Sequence, residues 1–143
     1  MTDRILIDTN ILVYAHIDST DRKTKISREL IEESIKKGNA SISTQNINEF
    51  CRVMTQKIQT PFDPELVIEI IEDIVTSKKI KILENNFEDS LSALLIMKEG
   101  KNNPFFDCLL AATMRKNGIK QIITENTKDF ERMESIKAVN PFN

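Results

Sequence analysis

The sequence predicts an α/β fold: a three-layer α/β/α sandwich on a central parallel sheet. Three observations predict it. Ile5-Leu6-Ile7 is an unbroken apolar run, as expected of a strand buried on both faces. Further short apolar runs alternate along the chain with segments of helical periodicity. Gly38, Gly100 and Gly118 each follow a helical pattern, which suits the left-handed position just past a helix end.

The first strand spans about residues 4–8 and stops at Asp8. A helix follows over about 21–37, with Ile26, Leu30, Ile31 and Ile35 on one face. Ala40–Ser43 is the second strand. Ile47, Phe50, Val53, Met54 and Ile58 recur at helical spacing over about 45–58. Asp63 then Pro64 is a cap followed by a proline at the first helical position, opening a helix to about residue 77. Ile80–Leu83 reads as a strand. Asn86 caps a helix expected to turn Phe87, Leu91, Leu94 and Leu95 inward and to end at Gly100. Pro104 opens another helix to Asn117. Gln121–Thr124 and Ile136–Val139 are the last strands.

The 143 residues fit one domain, 1–143, large enough to bury a real core. With 40% hydrophobic and 29% charged residues, the composition is that of an ordinary soluble globular protein. A net charge of −2 gives no broad basic footprint for duplex DNA. Cys51 and Cys108 sit in apolar helical patterns and are expected to be buried free thiols of a reducing compartment. Asp3, Arg4 and Asp8 exclude a signal peptide at the N-terminus, and no apolar stretch approaches membrane-spanning length. The expected location is the cytoplasm, with no membrane partner.

Acids in apolar settings are the candidates for chemistry. Asp8 ends a buried strand, and in open parallel sheets ligands bind outside the strands' carboxyl ends. It reads either as a site acid or as the N-cap of the Ile11–Ala15 segment, with Thr9 and Asn10 able to hydrogen-bond it. Glu49 lies between Ile47 and Phe50, and is either a site acid or a half-exposed helix acid. Asp107 interrupts Phe105-Phe106-Asp107-Cys108-Leu109-Leu110, where a carboxylate faces a cavity, pairs or caps. The loop Thr124-Glu125-Asn126-Thr127-Lys128-Asp129 leaves a strand toward the same crevice. Carboxylates converging there would repel one another. Oxygen ligands without histidine suit Mg²⁺ or Mn²⁺, which activate water and stabilise a phosphoryl charge.

In these motifs the chain resembles the PIN-domain family, and within it the VapC-type ribonuclease toxins. The motifs are Ile7-Asp8-Thr9-Asn10-Ile11-Leu12, Asn48-Glu49-Phe50, Phe106-Asp107-Cys108-Leu109-Leu110-Ala111-Ala112 and Thr124-Glu125-Asn126, with Val139-Asn140-Pro141-Phe142 as in one VapC subgroup. Their order and spacing span nearly the whole chain. The resemblance implies a PIN-like parallel sheet and a homodimer. It also implies Mg²⁺- or Mn²⁺-dependent cleavage of RNA and neutralisation by a small antitoxin protein. It puts Asp8, Glu49 and Asp107 in the places of family acids and metal ligands, and Thr9 in the place of a supporting group. The family often has an aspartate where this chain has Asn126, so Glu125 or Asp129 is the candidate to supply the missing charge.

On this reading Asp8 and Asp107 hold the principal ion, with Glu49 bound directly or through water. Asn126 and Asp129 orient water or a second ion. Arg52 stands about one helical turn from Glu49, within reach of a phosphate or on a plain surface. Arg22, Lys23 and Lys25 are expected to form a solvated face. His16 is expected to be a polar surface residue and Tyr14 to pack. The apolar Ile47–Ile58 and Leu66–Ile74 segments serve either the core or a dimer or antitoxin surface. A non-catalytic PIN-fold binding module with a weakened metal site is the alternative, which Asn126 favours. A phosphate-binding α/β domain lacks its glycine-rich loop, since no glycine precedes position 38. A nuclease acting on DNA is the nearer rival.

Overall fold

The computed structural model describes residues 3–100 and 103–143. The elements run β1 (Ile5–Ile7), α1 (Thr9–His16), α2 (Arg22–Lys37), β2 (Ala40–Ser43), α3 (Thr44–Gln56), α4 (Pro64–Ser77), β3 (Lys81–Leu83), α5 (Phe87–Glu99), α6 (Phe105–Lys116), β4 (Gln121–Ile123), a 3₁₀ turn (Thr127–Phe130) and β5 (Lys137–Val139).

The five strands form one sheet in the order β3-β2-β1-β4-β5, every pair parallel. Leu6 stands opposite Ser41 on one side and Ile122 on the other. The chain builds outward from β1 through β2 to β3, then crosses to the other side of β1 for β4 and β5. The switch point therefore lies between β1 and β4, where a crevice opens at the strands' carboxyl ends.

Alternation along the strands splits the core in two. Leu6 and Ile122 point to the layer of α5 and α6, with Leu110, Met114 and Phe130. Ile7, Ile42 and Ile123 point to the opposite layer, with Ile11, Leu12, Phe50 and Met54. A side-chain period of two makes a sheet covered on both faces read as continuous apolar sequence.

Local chemistry sets the helix ends. Asp21 accepts a hydrogen bond from the Arg22 backbone N–H (2.7 Å), and Gly38 closes α2 at φ 70°. Pro64 opens α4, and Lys78 closes it at φ 57° without being glycine. Gly118 is left-handed at φ 67°, but Gly100 is extended at φ −118°, which corrects the expectation for that position.

A larger correction concerns α5. Phe87, Leu91, Leu94 and Leu95 face outward, at 74%, 57%, 50% and 60% exposure. The inward face is Asp89, Ala93 and Ile96. Small Ala93 allows α5 to lie close on α6, while Asp89 joins a capping box with Asn86 and pairs with Lys116 (2.9 Å). The helix carries apolar residues on opposite faces, so periodicity does not say which one is buried.

His16 also departs from expectation. It is half-buried, with Nδ1 2.7 Å from the Leu12 carbonyl and its ring edge-on to Phe50. Burial holds its pKa below the ordinary value. Cys108 is buried as expected, but Cys51 is only half-buried. In α4, Val67 is core while Leu66, Ile68 and Val75 are exposed. Among the described residues no helix is long and apolar enough to cross a membrane.

Candidate active site

Asp8 leaves β1 at the switch point and does two jobs. It is the N-cap of α1, its Oδ1 accepting from the Thr9 backbone N–H at 2.8 Å. Its Oδ2 accepts from the Thr124 hydroxyl at 2.7 Å, just beyond β4. Asn46 Nδ2 adds a longer contact to Oδ1 at 3.4 Å and donates to Thr9 Oγ1 at 3.2 Å. Burial raises the Asp8 pKa. The Thr124 and Thr9 hydrogen bonds pull against it, and the negative charges of Glu49 and Asp129 add to it.

Asp107 is in the first turn of α6 and is half-buried. No hydrogen bond or ion pair to it is found among the described residues. Its pKa is raised to about 6, first by burial and then by the charges of Asp129, Asp8 and Glu49. A helix N-terminus favours a carboxylate, so burial and like charge outweigh the dipole here. Glu49, on α3, is exposed and stands 3.7 Å from Arg52. Asp129 comes from the 3₁₀ turn and is exposed.

These four carboxylates line one cleft of about 330 Å³, with Asn126 and Thr9 beside them and Val13, Val53 and Leu110 forming apolar wall. The cleft sits where the strand order reverses. Its donors are oxygens, with neither histidine nor thiol, which fits a hard divalent cation. Among the described residues, no group of three acidic, histidine or cysteine side chains is placed to enclose a metal ion as it stands.

The PIN domain model matches residues 5–136. The chain belongs to the PIN domain family. Among solved structures, this PIN domain is similar to DNA-bound VapBC from Salmonella typhimurium, with 17% identity and a TM-score of 0.69 over 98% of this chain and 99% of that one. It is also similar to a toxin–antitoxin complex from Klebsiella pneumoniae (18% identity, TM-score 0.62, covering 96% and 97%). A third is VapC20 of Mycobacterium tuberculosis, a sarcin-ricin loop cleaving toxin (17%, 0.62, covering 82% and 86%). Identities this low speak to fold alone. No curated protein matches the sequence.

Within the PIN domain, Asp8, Thr9, Glu49, Asp107, Asn126 and Asp129 come together at the cleft. Glu125 does not join them. Its carboxylate pairs with Lys23 and accepts from the Tyr14 hydroxyl at 2.7 Å. Burial pushes that carboxyl up, but Lys23 and Tyr14 outweigh it and hold it below the ordinary value. Lys23 also lies 5.3 Å from the Tyr14 ring centre and 5.4 Å from that of Phe142. Arg22 donates to the Phe142 carbonyl at 2.8 Å. Of the basic cluster expected to be a solvated face, Arg22 and Lys25 are exposed as expected and Lys23 is half-buried, while Arg22 and Lys23 also tie α2 to the chain's closing segment.

Two residues that hold the site were not singled out from sequence. Thr124 donates to Asp8 while accepting from the Asn126 backbone N–H at 3.0 Å. Asn46 completes the α3 capping box with Ser43 and reaches Asp8 and Thr9 from there. Ser43-x-x-Asn46 before an apolar helix was the available signal for the box. Nothing local signalled that the same amide faces Asp8.

Proposed function

We propose that this PIN domain, acting as the single domain 1–143 in the cytoplasm, is a metal-dependent endoribonuclease. In this reading it is the toxin of a VapBC-type toxin–antitoxin pair. The observation that carries the chemistry is the convergence of Asp8, Glu49, Asp107 and Asp129 on one cleft at the β1/β4 switch point, where burial and then the neighbouring charges raise the pKa of Asp8 and of Asp107. Family membership and the likeness to toxin–antitoxin structures support the RNA substrate and the antitoxin partner. The exposed apolar face of α5 supports a homodimer.

Asp8, Asp107 and Glu49 would hold Mg²⁺ or Mn²⁺. When bound, such an ion lowers the pKa of a water and neutralises the charge of a scissile phosphate. The chain's own groups do the rest. Thr9, Thr124 and Asn46 keep Asp8 aimed into the cleft. Asp107, its carboxyl pushed up to about 6 by burial and the neighbouring acids, would shed its proton on taking a cation. Glu49 takes the proton of the attacking water, and Asn126 and Asp129 orient that water. Arg52 turns from Glu49 to a phosphate oxygen.

The test is cleavage of total cellular RNA by the purified chain in Mg²⁺, Mn²⁺ or EDTA, beside Asp8→Asn and Asp107→Asn. Metal-dependent cutting lost in both variants is the expected result. A second reading, a binding module with a weakened metal site, rests on Asn126 and on the absence of a ready-made three-acid group among the described residues. Folded wild-type protein that binds RNA or antitoxin but cuts nothing would select it.

A further inference from the structure

Beside the acid cleft lies a second, larger hollow of about 580 Å³, and the two share Gln45, Glu49 and Phe106. Its volume is in the range of roughly 300–1,000 Å³ typical of ligand sites. Phe106 stands at the junction, adjacent to Asp107 and 65% exposed. The backbone that carries the ring is anchored. The Phe106 carbonyl accepts from Gln45 Nε2 at 3.0 Å, tying the start of α6 to α3. Phe105, packed against the core, meets the Phe106 ring edge-on with centroids 5.4 Å apart. A large apolar ring is thus held in solvent at the lip of a charged cleft.

The rest of the hollow offers polar groups suited to a planar, hydrogen-bonding ligand. Asn48 is exposed, with no hydrogen bond found for its amide among the described residues. Gln45 Oε1 is buried without a hydrogen-bond partner among the described residues. Asn85 is held by Thr44 and Thr113, forming a fixed back wall. Among the described residues that line it, Arg52 brings the one positive charge, and Leu109 adds apolar wall. Aromatic faces stack on unpaired bases, and amides pair with base edges.

We propose that this hollow is a nucleobase subsite, in which Phe106 stacks on an unpaired base next to the phosphate held at the acid cleft. The inference rests on the nuclease reading above, and its occupant is single-stranded RNA. Continuity with the acid cleft and the combination of ring, amides and arginine favour RNA over a second copy of the chain or an antitoxin segment.

The sequence contains no tryptophan, so Phe106→Trp introduces a single reporter at the lip, and Phe87→Trp places one on the outer face of α5. Both are made in an Asp107→Asn background with Mg²⁺, which keeps RNA intact. The probe is a single-stranded RNA octamer of randomised sequence, beside an octamer of the same backbone lacking bases. RNA is expected to quench Phe106→Trp and not Phe87→Trp, and the abasic strand to quench neither. Phe106→Ala should weaken RNA binding about tenfold, measured by anisotropy, while Phe106→Trp retains it.

Equal quenching at both positions, quenching by the abasic strand, or unchanged affinity in Phe106→Ala would overturn the subsite. So would a fall from dimer to monomer in Phe106→Ala by sedimentation, which would give the ring to a second copy. A spectrum that answers to the antitoxin but not to bound RNA would give the hollow to that partner. If wild-type protein cuts RNA while the Phe106→Trp signal stays silent, the subsite fails alone. If it neither cuts nor binds RNA, the nuclease reading fails with it.

Discussion

Asp8 and Asp107 face the same cleft but are built oppositely. Asp8 is buried and caps a helix, accepting from Thr9, Thr124 and, at longer range, Asn46. Asp107 is half-buried, with no hydrogen bond found among the described residues, and its pKa is raised to about 6. Burial raises the pKa of both, but hydrogen bonds hold the first carboxylate in place and offset part of that rise, whereas nothing offsets it at the second. One half of the site is therefore preorganised and the other is held in tension by burial and like charge.

The largest test of this contrast is catalytic. Asp8→Asn and Asp107→Asn should each lower RNA cleavage by at least about a hundredfold in Mg²⁺ or Mn²⁺, read from initial rates on a gel. In stability they should part company. Thr124→Val removes the hydroxyl donor to a buried carboxylate, which costs about 1–3 kcal/mol and should appear in a urea titration with cleavage reduced alongside.

The Asp107 carboxyl binds its proton more tightly in the folded chain, at about 6 against an ordinary 3.8. Metal-free protein should accordingly lose stability as pH rises through that window. Asp107→Asn should raise the melting temperature of metal-free protein by about 3 °C above pH 6 and leave it unchanged below pH 3.8. Were the variant less stable at pH 7, the tension at Asp107 would be disproved. Mg²⁺ should stabilise the wild type more than Asp107→Asn.

Smaller effects sharpen the picture at the loop after β4. Asn126→Asp adds a charge facing the cleft and should tighten Mg²⁺ binding about tenfold by calorimetry. Glu125→Gln should leave that affinity unchanged and lower the melting temperature by only about 1 °C, because its ion pair with Lys23 is partly open to solvent. A marked loss of Mg²⁺ affinity in Glu125→Gln would place its carboxylate at the cleft after all.

Legibility followed the range of the interaction that decides each feature. The strands, the capped helices and the acids at strand and helix ends could be read locally, because burial on two faces and capping chemistry leave short patterns. Glu125 and Asp129 could not be told apart, since each is a polar acid in one loop. What separates them is Lys23 and Tyr14, more than a hundred residues earlier, which draw Glu125 aside. Thr124 and Asn46 escaped notice for a related reason. A threonine after a strand and an asparagine in a capping box are ordinary until Asp8 is set between them.

By itself, then, the sequence determined the alternation of strands and helices, the parallel sheet, and the short list of acids from which a site had to be drawn. Each depends on neighbours a few positions apart. Only the tertiary structure decided which apolar face of α5 turns inward, which acid of the β4 loop reaches the cleft, and that Phe106 stands exposed at its lip. These outcomes depend on packing between segments distant in the chain, where alternatives equal in local pattern differ in the partners they meet.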